Sequence, residues 1–222
     1  MEFVKQMVDF VLHVDKYLND IIVQYGAWTL VFLFLIIFFE TGVVVTPFLP
    51  GDSLIFAAAT FAARGSIDPW ALFILLTIAA IAGDTVNYWI GHRVGARAYT
   101  GEIKWIKKEY MARTHEFFEK YGGKTIFLAR FVPFIRTFAP FVAGVSQMPY
   151  GFFLRWNVIG GVVWVAIFTA LGYFFGNIPI VQQNFELVIV AIILISVIPA
   201  VVEALKARRE IQSANARAGA EE

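Results

Sequence analysis

Long apolar stretches with almost no charge dominate the sequence and leave few folds open to it. In the range 21–63 the only charged side chains are Glu40 and Asp52, and the range 156–185 has none. A transmembrane helix needs about 20 such residues to cross the hydrocarbon core. Charged residues make up 16% of the chain, below the roughly one quarter of a soluble domain. The sequence therefore predicts an integral membrane protein.

Net charge and residue content argue against several other classes. A net charge of +1 gives no basic footprint for nucleic acid, so no nucleic-acid partner is predicted. The chain has no cysteine, which excludes disulfides and thiolate metal sites. His13, His92 and His115 have no metal-site spacing, so neither a metal nor another cofactor is predicted. Ser53 has no base close in sequence, and we predict that the protein is not an enzyme.

The apolar blocks predict an all-α polytopic membrane protein. Three uninterrupted blocks predict transmembrane helices at about 70–92, 157–176 and 185–203. Two further blocks, at about 27–63 and 125–147, are interrupted by prolines, which remove a backbone donor and break helices. These two blocks are predicted to be hairpins rather than simple crossings.

Charged residues outside the apolar blocks predict how the chain is oriented in the membrane. Segment 93–124 has eight Lys or Arg against four Glu, and the C-terminal tail is also basic, so both are predicted to be cytoplasmic. We predict one membrane domain over 25–205, followed by a disordered tail at 206–222. In 1–24, apolar residues recur at helical spacing, which predicts an amphipathic helix in the membrane interface. A helix packed on the bundle fits that pattern equally well.

This orientation makes block 125–147 re-entrant. Two spans separate Arg155 from the cytoplasmic tail, so the block must leave and return on the cytoplasmic side. In block 27–63 the second arm has eleven residues, about 16 Å of helix, roughly half the hydrocarbon core. Its first arm, 27–45, is long enough to span. Two oppositely oriented re-entrant hairpins suggest the inverted repeat of many transporters; two kinked helices of a structural bundle are the alternative.

Five charged residues fall at predicted membrane depth. Each charge at the bilayer centre costs roughly 2.5–3.5 kcal/mol, so five unpaired charges would exceed the net stability of a typical protein. They must face inward around one polar pocket or pair with one another. The five are Glu40, Asp52, Asp84, Arg130 and Arg136. Residues predicted to keep the hairpin tips open are Pro47, Pro50, Gly51, Pro133, Pro140 and Gly144.

The types of these residues suggest a site for an anion. Arg130 and Arg136 flank Pro133, and an unwound chain there lets both guanidinium groups turn toward one site. A guanidinium fork suits phosphate or carboxylate. An anionic headgroup can compete with the acids for the arginines, and protonating the acids would release them, which is a route to proton coupling.

Asp84 and Tyr88 lie four residues apart on the predicted span 70–92. This spacing predicts that both face the pocket as a secondary gate, or that Asp84 forms a structural ion pair with an arginine. Gly91 and Gly95 continue the same face and leave room for close helix contact.

Three stretches, ETGVVVTPFLPGDS, GDTVNYWIG and RFVPFIRTFAPFVAG, resemble the signature stretches of the bacterial DedA family, within the wider VTT (SNARE-associated Golgi) superfamily. The resemblance covers roughly 20–205 and is closest to the DedA branch itself. It implies an inner-membrane protein with two opposed re-entrant hairpins. It implies functional acids at Glu40 and Asp52 and functional arginines at Arg130 and Arg136. Many relatives have Glu in place of Asp52, which alters the reach of that carboxylate.

The resemblance also implies a function in the cell envelope. We expect a multi-pass protein of the bacterial inner membrane that transports lipid by using the proton motive force, with membrane lipids and protons as its partners. Undecaprenyl phosphate is the expected substrate. The alternatives are a phosphatidylethanolamine translocase or scramblase, a small-cation/proton antiporter, and an envelope assembly factor. A homo-oligomer is compatible with the sequence.

Overall fold

The computed structural model describes residues 25–26, 28–42, 51–99, 122–176, 178–184, 187–188 and 190–192. Within these residues the chain forms helices and turns without any β-strand, which confirms the all-α class. The helices are α1 (Trp28–Gly42), α2 (Gly51–Ala63), α3 (Pro69–Tyr99), α4 (Lys124–Ala129), α5 (Pro133–Val145), α6 (Tyr150–Phe175) and α7 (Pro179–Gln183).

Two of these helices are long and apolar enough to cross a membrane. They are α3, with 31 residues, and α6, with 26. Both are longer than the spans predicted at 70–92 and 157–176. Helix α3 continues seven residues into the basic segment, and α6 begins seven residues early, directly after Pro149.

Several predictions fall outside the described residues. They concern the N-terminal helix at 1–24, most of segment 93–124, most of the span at 185–203 and the basic tail at 206–222. Pro47 and Pro50 also lie there.

Local sequence accounts for the starts of the helices. Helix α3 begins at Pro69, where the missing N–H has no cost, and Asp68 Oδ1 accepts a hydrogen bond from Ala71 N at 2.6 Å. Helix α5 also begins at a proline, Pro133, after an extended residue at Val132 (φ −114°, ψ 106°). Block 125–147 is therefore broken at 130–132, between α4 and α5.

Pro140 and Gly144 differ from the prediction that placed them at a hairpin tip. Both lie inside α5, which continues through Pro140 to Val145. A proline within a helix removes the hydrogen bond to the carbonyl four residues earlier, and here that carbonyl belongs to Arg136. Pro140 therefore loosens α5 beside a charged residue instead of ending the helix.

Helix α3 is the centre of the packing. It contacts α1 and α5 extensively and α6 less so, while α2 packs mainly on α6. Two apolar clusters result. One joins α1, α2, the first half of α3 and Trp164 of α6; the other joins Tyr88, α4, α5 and Phe153. On both α3 and α6 a buried polar residue, Asp84 and Asn157, lies in sequence between the two clusters. The clusters thus flank a polar layer.

The contact between α3 and α5 is close enough to require glycine. A Cβ atom on Gly91 would overlap the backbone of Phe141, and one on Gly95 would overlap the backbone of Val145. Gly144 of α5 is in turn pressed against the backbone of Tyr88. The prediction that Gly91 and Gly95 allow close helix contact is confirmed.

Replacing Gly91 with alanine should therefore destabilise the protein by about 1–3 kcal/mol, the usual effect of an overpacked interior. The measurement is thermal unfolding in detergent. Gly151→Ala is the matched control, because Gly151 is also helical but a Cβ there meets nothing within 4 Å. A Gly91→Ala variant as stable as Gly151→Ala would contradict the close contact.

Candidate functional site

Arg136 lies between two carboxylates that come from different helices. Its Nη2 donates to Glu40 Oε1 at 2.7 Å, and its Nη1 donates to Asp52 Oδ1 at 2.7 Å. All three residues are buried, with Glu40 only 2% exposed. One guanidinium group thus joins the end of α1, the first turn of α2 and the first turn of α5.

Arg130 forms a second ion pair in the polar layer. It lies in the break between α4 and α5, and its Nη2 donates to Asp84 of α3 and, at 2.7 Å, to Asn157 Oδ1 of α6. Asn157 in turn donates from Nδ2 to Ile81 O at 3.1 Å. The five charges are paired, as predicted, but they form two separate groups, and Asp84 is the ion-pair partner of Arg130.

Trp164 contacts both groups, and sequence reasoning missed it. The guanidinium carbon of Arg136 lies 5.0 Å from the centre of the indole ring, and that of Arg130 lies 5.7 Å from it. The indole Nε1 donates to Asp52 Oδ1 at 2.9 Å. A signal was available, because Trp164 lies in the middle of an uncharged apolar block, where an indole N–H requires a protein acceptor.

Asn87 is a second residue that sequence reasoning missed. Its Nδ2 donates to Thr41 O at 3.2 Å and to Thr137 O at 2.7 Å, and its side chain is fully buried. Thr41 and Thr137 directly follow Glu40 and Arg136. One amide group on α3 therefore fixes the backbones of both members of that ion pair relative to each other.

Gly51, the first residue of α2, is in direct contact with Glu40. Its N–H donates to Glu40 Oε1 at 3.3 Å, and a Cβ at this position would lie 2.7 Å from Glu40 Cδ. Any larger residue would displace the carboxylate from Arg136. Asp52 follows in the first turn of α2, where the helix dipole favours a negative charge.

Tyr88 lies apart from the ion pairs. Its hydroxyl donates to Met148 O, and its ring stacks on Phe153 with 4.6 Å between ring centres. The structure therefore gives Tyr88 a contact with the chain between α5 and α6, rather than the predicted contact with the pocket beside Asp84.

The two groups still have unused hydrogen-bonding capacity. Among the described residues, Glu40 Oε2, Arg130 Nη1 and Ser53 Oγ are buried and have no hydrogen-bond partner. Three acids and two arginines give the layer a formal charge of −1. In the part of the chain that the structure describes, no group of three or more His, Cys, Asp or Glu side chains is placed to hold a metal ion. The arrangement is chemically suited to bind an anion or a proton.

Comparison with known proteins places the chain among membrane proteins of one family. Residues 49–174 match the VTT domain. The chain is 49% identical over 212 residues to Protein DedA of Escherichia coli strain K12, an alignment that covers 94% of this chain and 97% of the relative. It is 42% identical over 194 residues to an uncharacterised membrane protein of Mycobacterium tuberculosis, covering 86% of this chain and 85% of the relative.

A further relative is named as an inner membrane protein, YqjA of Escherichia coli. The identity is 36% over 149 residues, which covers 67% of this chain and 68% of that protein. No solved structure matches the chain. The long coverage of these relatives, together with the matched domain, shows that the chain belongs to the DedA family of VTT-domain membrane proteins.

Proposed function

We propose that this protein transports a lipid phosphate across the bacterial cytoplasmic membrane and uses the proton motive force to do so. The substrate in this proposal is undecaprenyl phosphate, and the protein contributes to envelope maintenance by recycling this carrier. The observation that carries the proposal is the environment of Arg136. This buried arginine, a side chain of the type that binds phosphate, lies 2.7 Å from each of two carboxylates. An arginine held by two acids can be released by protonation.

The first step of the proposed mechanism is binding at Arg130. Its Nη1 has no hydrogen-bond partner among the described residues. This nitrogen can therefore donate to a phosphate oxygen while Nη2 keeps its hydrogen bond to Asp84. Arginine is suited to this task because its donors lie in a planar fork. The phosphate would then reach Arg136, whose guanidinium group contacts the same Trp164 ring.

The second step is proton uptake by the acids of Arg136. Protonation of Glu40 or Asp52 removes the charge that holds the guanidinium, and Arg136 turns to the phosphate. Deprotonation on the other side of the membrane restores the ion pair and expels the lipid headgroup. The polyprenyl chain remains in the bilayer throughout, so only the headgroup crosses the polar layer.

The proposed path requires the two re-entrant hairpins predicted from the sequence. Helix α2 has 13 residues, about 20 Å, and is too short to cross the hydrocarbon core alone. Helices α4 and α5 are also short, with six and 13 residues. In the proposal, α1–α2 and α4–α5 enter from opposite faces and meet at the charged layer, with segment 93–124 and the tail in the cytoplasm.

Lipid transport in liposomes tests this proposal. Purified protein should move undecaprenyl phosphate when a pH gradient is imposed, and the double variant Glu40→Gln with Asp52→Asn should abolish the dependence on the gradient because neither amide can exchange a proton. Asp68→Asn is the matched control: it removes an exposed acid but keeps a helix-capping side chain.

The other outcomes of the same assay separate the alternatives. Transport of phosphatidylethanolamine would indicate a phospholipid translocase, and movement without any gradient would indicate a scramblase. Proton exchange driven by an added cation would indicate an antiporter. If neither lipid nor any ion is transported, the proposal is contradicted and a role in envelope assembly is favoured.

A further inference from the structure

One face of α6 forms the surface against which Arg130 lies. Gly160, Gly161 and Trp164 lie within about one helical turn on that face. A Cβ on Gly160 would lie 3.5 Å from Arg130 Cδ, and one on Gly161 would lie 3.5 Å from Arg130 Nη1. A Cβ at either position would thus meet Arg130 at ordinary van der Waals distance, so this face of α6 packs directly against the arginine.

The indole ring of Trp164 contacts two cations that belong to different ion pairs. Both guanidinium carbons lie within the distance of about 6 Å at which a cation is attracted by the face of an aromatic ring, and tryptophan gives the strongest attraction. Two arginines held this close repel each other in a buried site. The electron-rich ring offsets part of that repulsion while leaving the donors of both arginines free to bind other groups.

The indole N–H shares an acceptor with Arg136. Asp52 Oδ1 accepts from Trp164 Nε1 at 2.9 Å and from Arg136 Nη1 at 2.7 Å. If Arg136 turns away, the indole N–H still donates to this oxygen. Trp164 is 1% exposed, and Phe168 packs edge-on against its ring, so the indole is fixed by its surroundings and not by the arginines alone.

We propose that Trp164 is a positioning residue for transport: its ring holds Arg130 and Arg136 at one surface, and its N–H keeps Asp52 in place when Arg136 moves to the phosphate. This inference rests on the proposed transport of a lipid phosphate. It assigns separate tasks to the ring and to the N–H, and substitution can separate them.

Trp164→Phe keeps an aromatic ring but removes the N–H. In this variant Asp52 Oδ1 loses a hydrogen bond that does not depend on Arg136. We expect the maximal transport rate to fall about 2- to 10-fold, the equivalent of one lost hydrogen bond, with KM for the lipid almost unchanged.

Trp164→Leu removes both the ring and the N–H. Transport should fall about tenfold or more below that of Trp164→Phe, because neither arginine is held in place. Trp70→Phe, at an exposed position, is the control and should leave both the maximal rate and KM unchanged. A Trp164→Phe variant with the wild-type maximal rate would overturn the role of the N–H, and a Trp164→Leu variant with the wild-type rate would overturn the role of the ring.

A second readout does not depend on transport. The ¹⁵N indole resonance of Trp164, assigned from its loss in Trp164→Phe, should shift in Asp52→Ala, which removes the acceptor of the indole N–H. Such a shift in a protein that moves no lipid would support the contact with Asp52 and contradict the proposed function. Transport of lipid by a protein whose indole resonance is unchanged in Asp52→Ala would overturn the inference alone.

Discussion

Arg136→Lys should reduce transport of the lipid phosphate about 10- to 100-fold although it keeps the positive charge. Arg136 reaches Glu40 and Asp52 through two different nitrogens, Nη2 and Nη1. The single ammonium group of lysine cannot reproduce this planar, bidentate geometry, either with the two acids or with a phosphate. A loss of 10- to 100-fold corresponds to about 1.4–2.8 kcal/mol, the range of one charge-assisted hydrogen bond. The measurement is the initial rate of headgroup translocation in liposomes.

A matched substitution shows whether this loss is specific. Arg155 is an exposed arginine of α6, so Arg155→Lys should transport at the wild-type rate. Arg136→Ala should be more impaired than Arg136→Lys, since it also leaves Glu40 and Asp52 without a cation. Equal transport by the wild type and Arg136→Lys would show that charge alone is sufficient and would contradict binding through the guanidinium fork.

Asp84→Asn should destabilise the protein by about 3–5 kcal/mol, because Arg130 would keep a buried charge with no anionic partner in contact. The pair is deeply buried, with both side chains less than a tenth exposed. Removing one member of such a pair is far more damaging than removing both. The measurement is the free energy of unfolding in detergent, obtained from thermal or denaturant unfolding curves.

The double variant Asp84→Asn with Arg130→Gln completes a mutant cycle. It should recover much of the stability lost in Asp84→Asn but should be inactive in transport, because Arg130→Gln removes the proposed first phosphate contact. Asp68→Asn, which neutralises an exposed acid, should change the stability by less than about 0.5 kcal/mol. Additive effects of the two substitutions would show that Asp84 and Arg130 are not energetically coupled.

Much of the charged layer could be predicted from the sequence. Charge in an apolar block is costly, so Glu40, Asp52, Asp84, Arg130 and Arg136 had to be buried in protein and paired. The break before Pro133 followed from the chemistry of proline, although the continuation of α5 through Pro140 did not. A proline signals a lost hydrogen bond but does not say whether the helix bends or stops.

Other members of the site could not be found in this way. Asn87, Asn157 and Trp164 are neutral, and in an apolar block a neutral polar residue is compatible with many environments. Their roles depend on which backbone carbonyl or charged group faces them, and those partners come from helices distant in the sequence. Tyr88 shows the converse: helical spacing placed it on the same face as Asp84, but packing against Phe153 directs its hydroxyl to Met148.

The sequence by itself determined that this protein is helical, lies in a membrane and gathers its few buried charges, because the penalty for an unpaired charge in an apolar medium depends only on local composition. The tertiary structure alone decided which acid pairs with which arginine and that a single indole ring joins the two groups. Such pairings depend on the relative rotation and depth of separate helices. Those are set by contacts such as Gly91 against Phe141: the glycine spacing predicts a close contact, but it does not specify which helix supplies the partner.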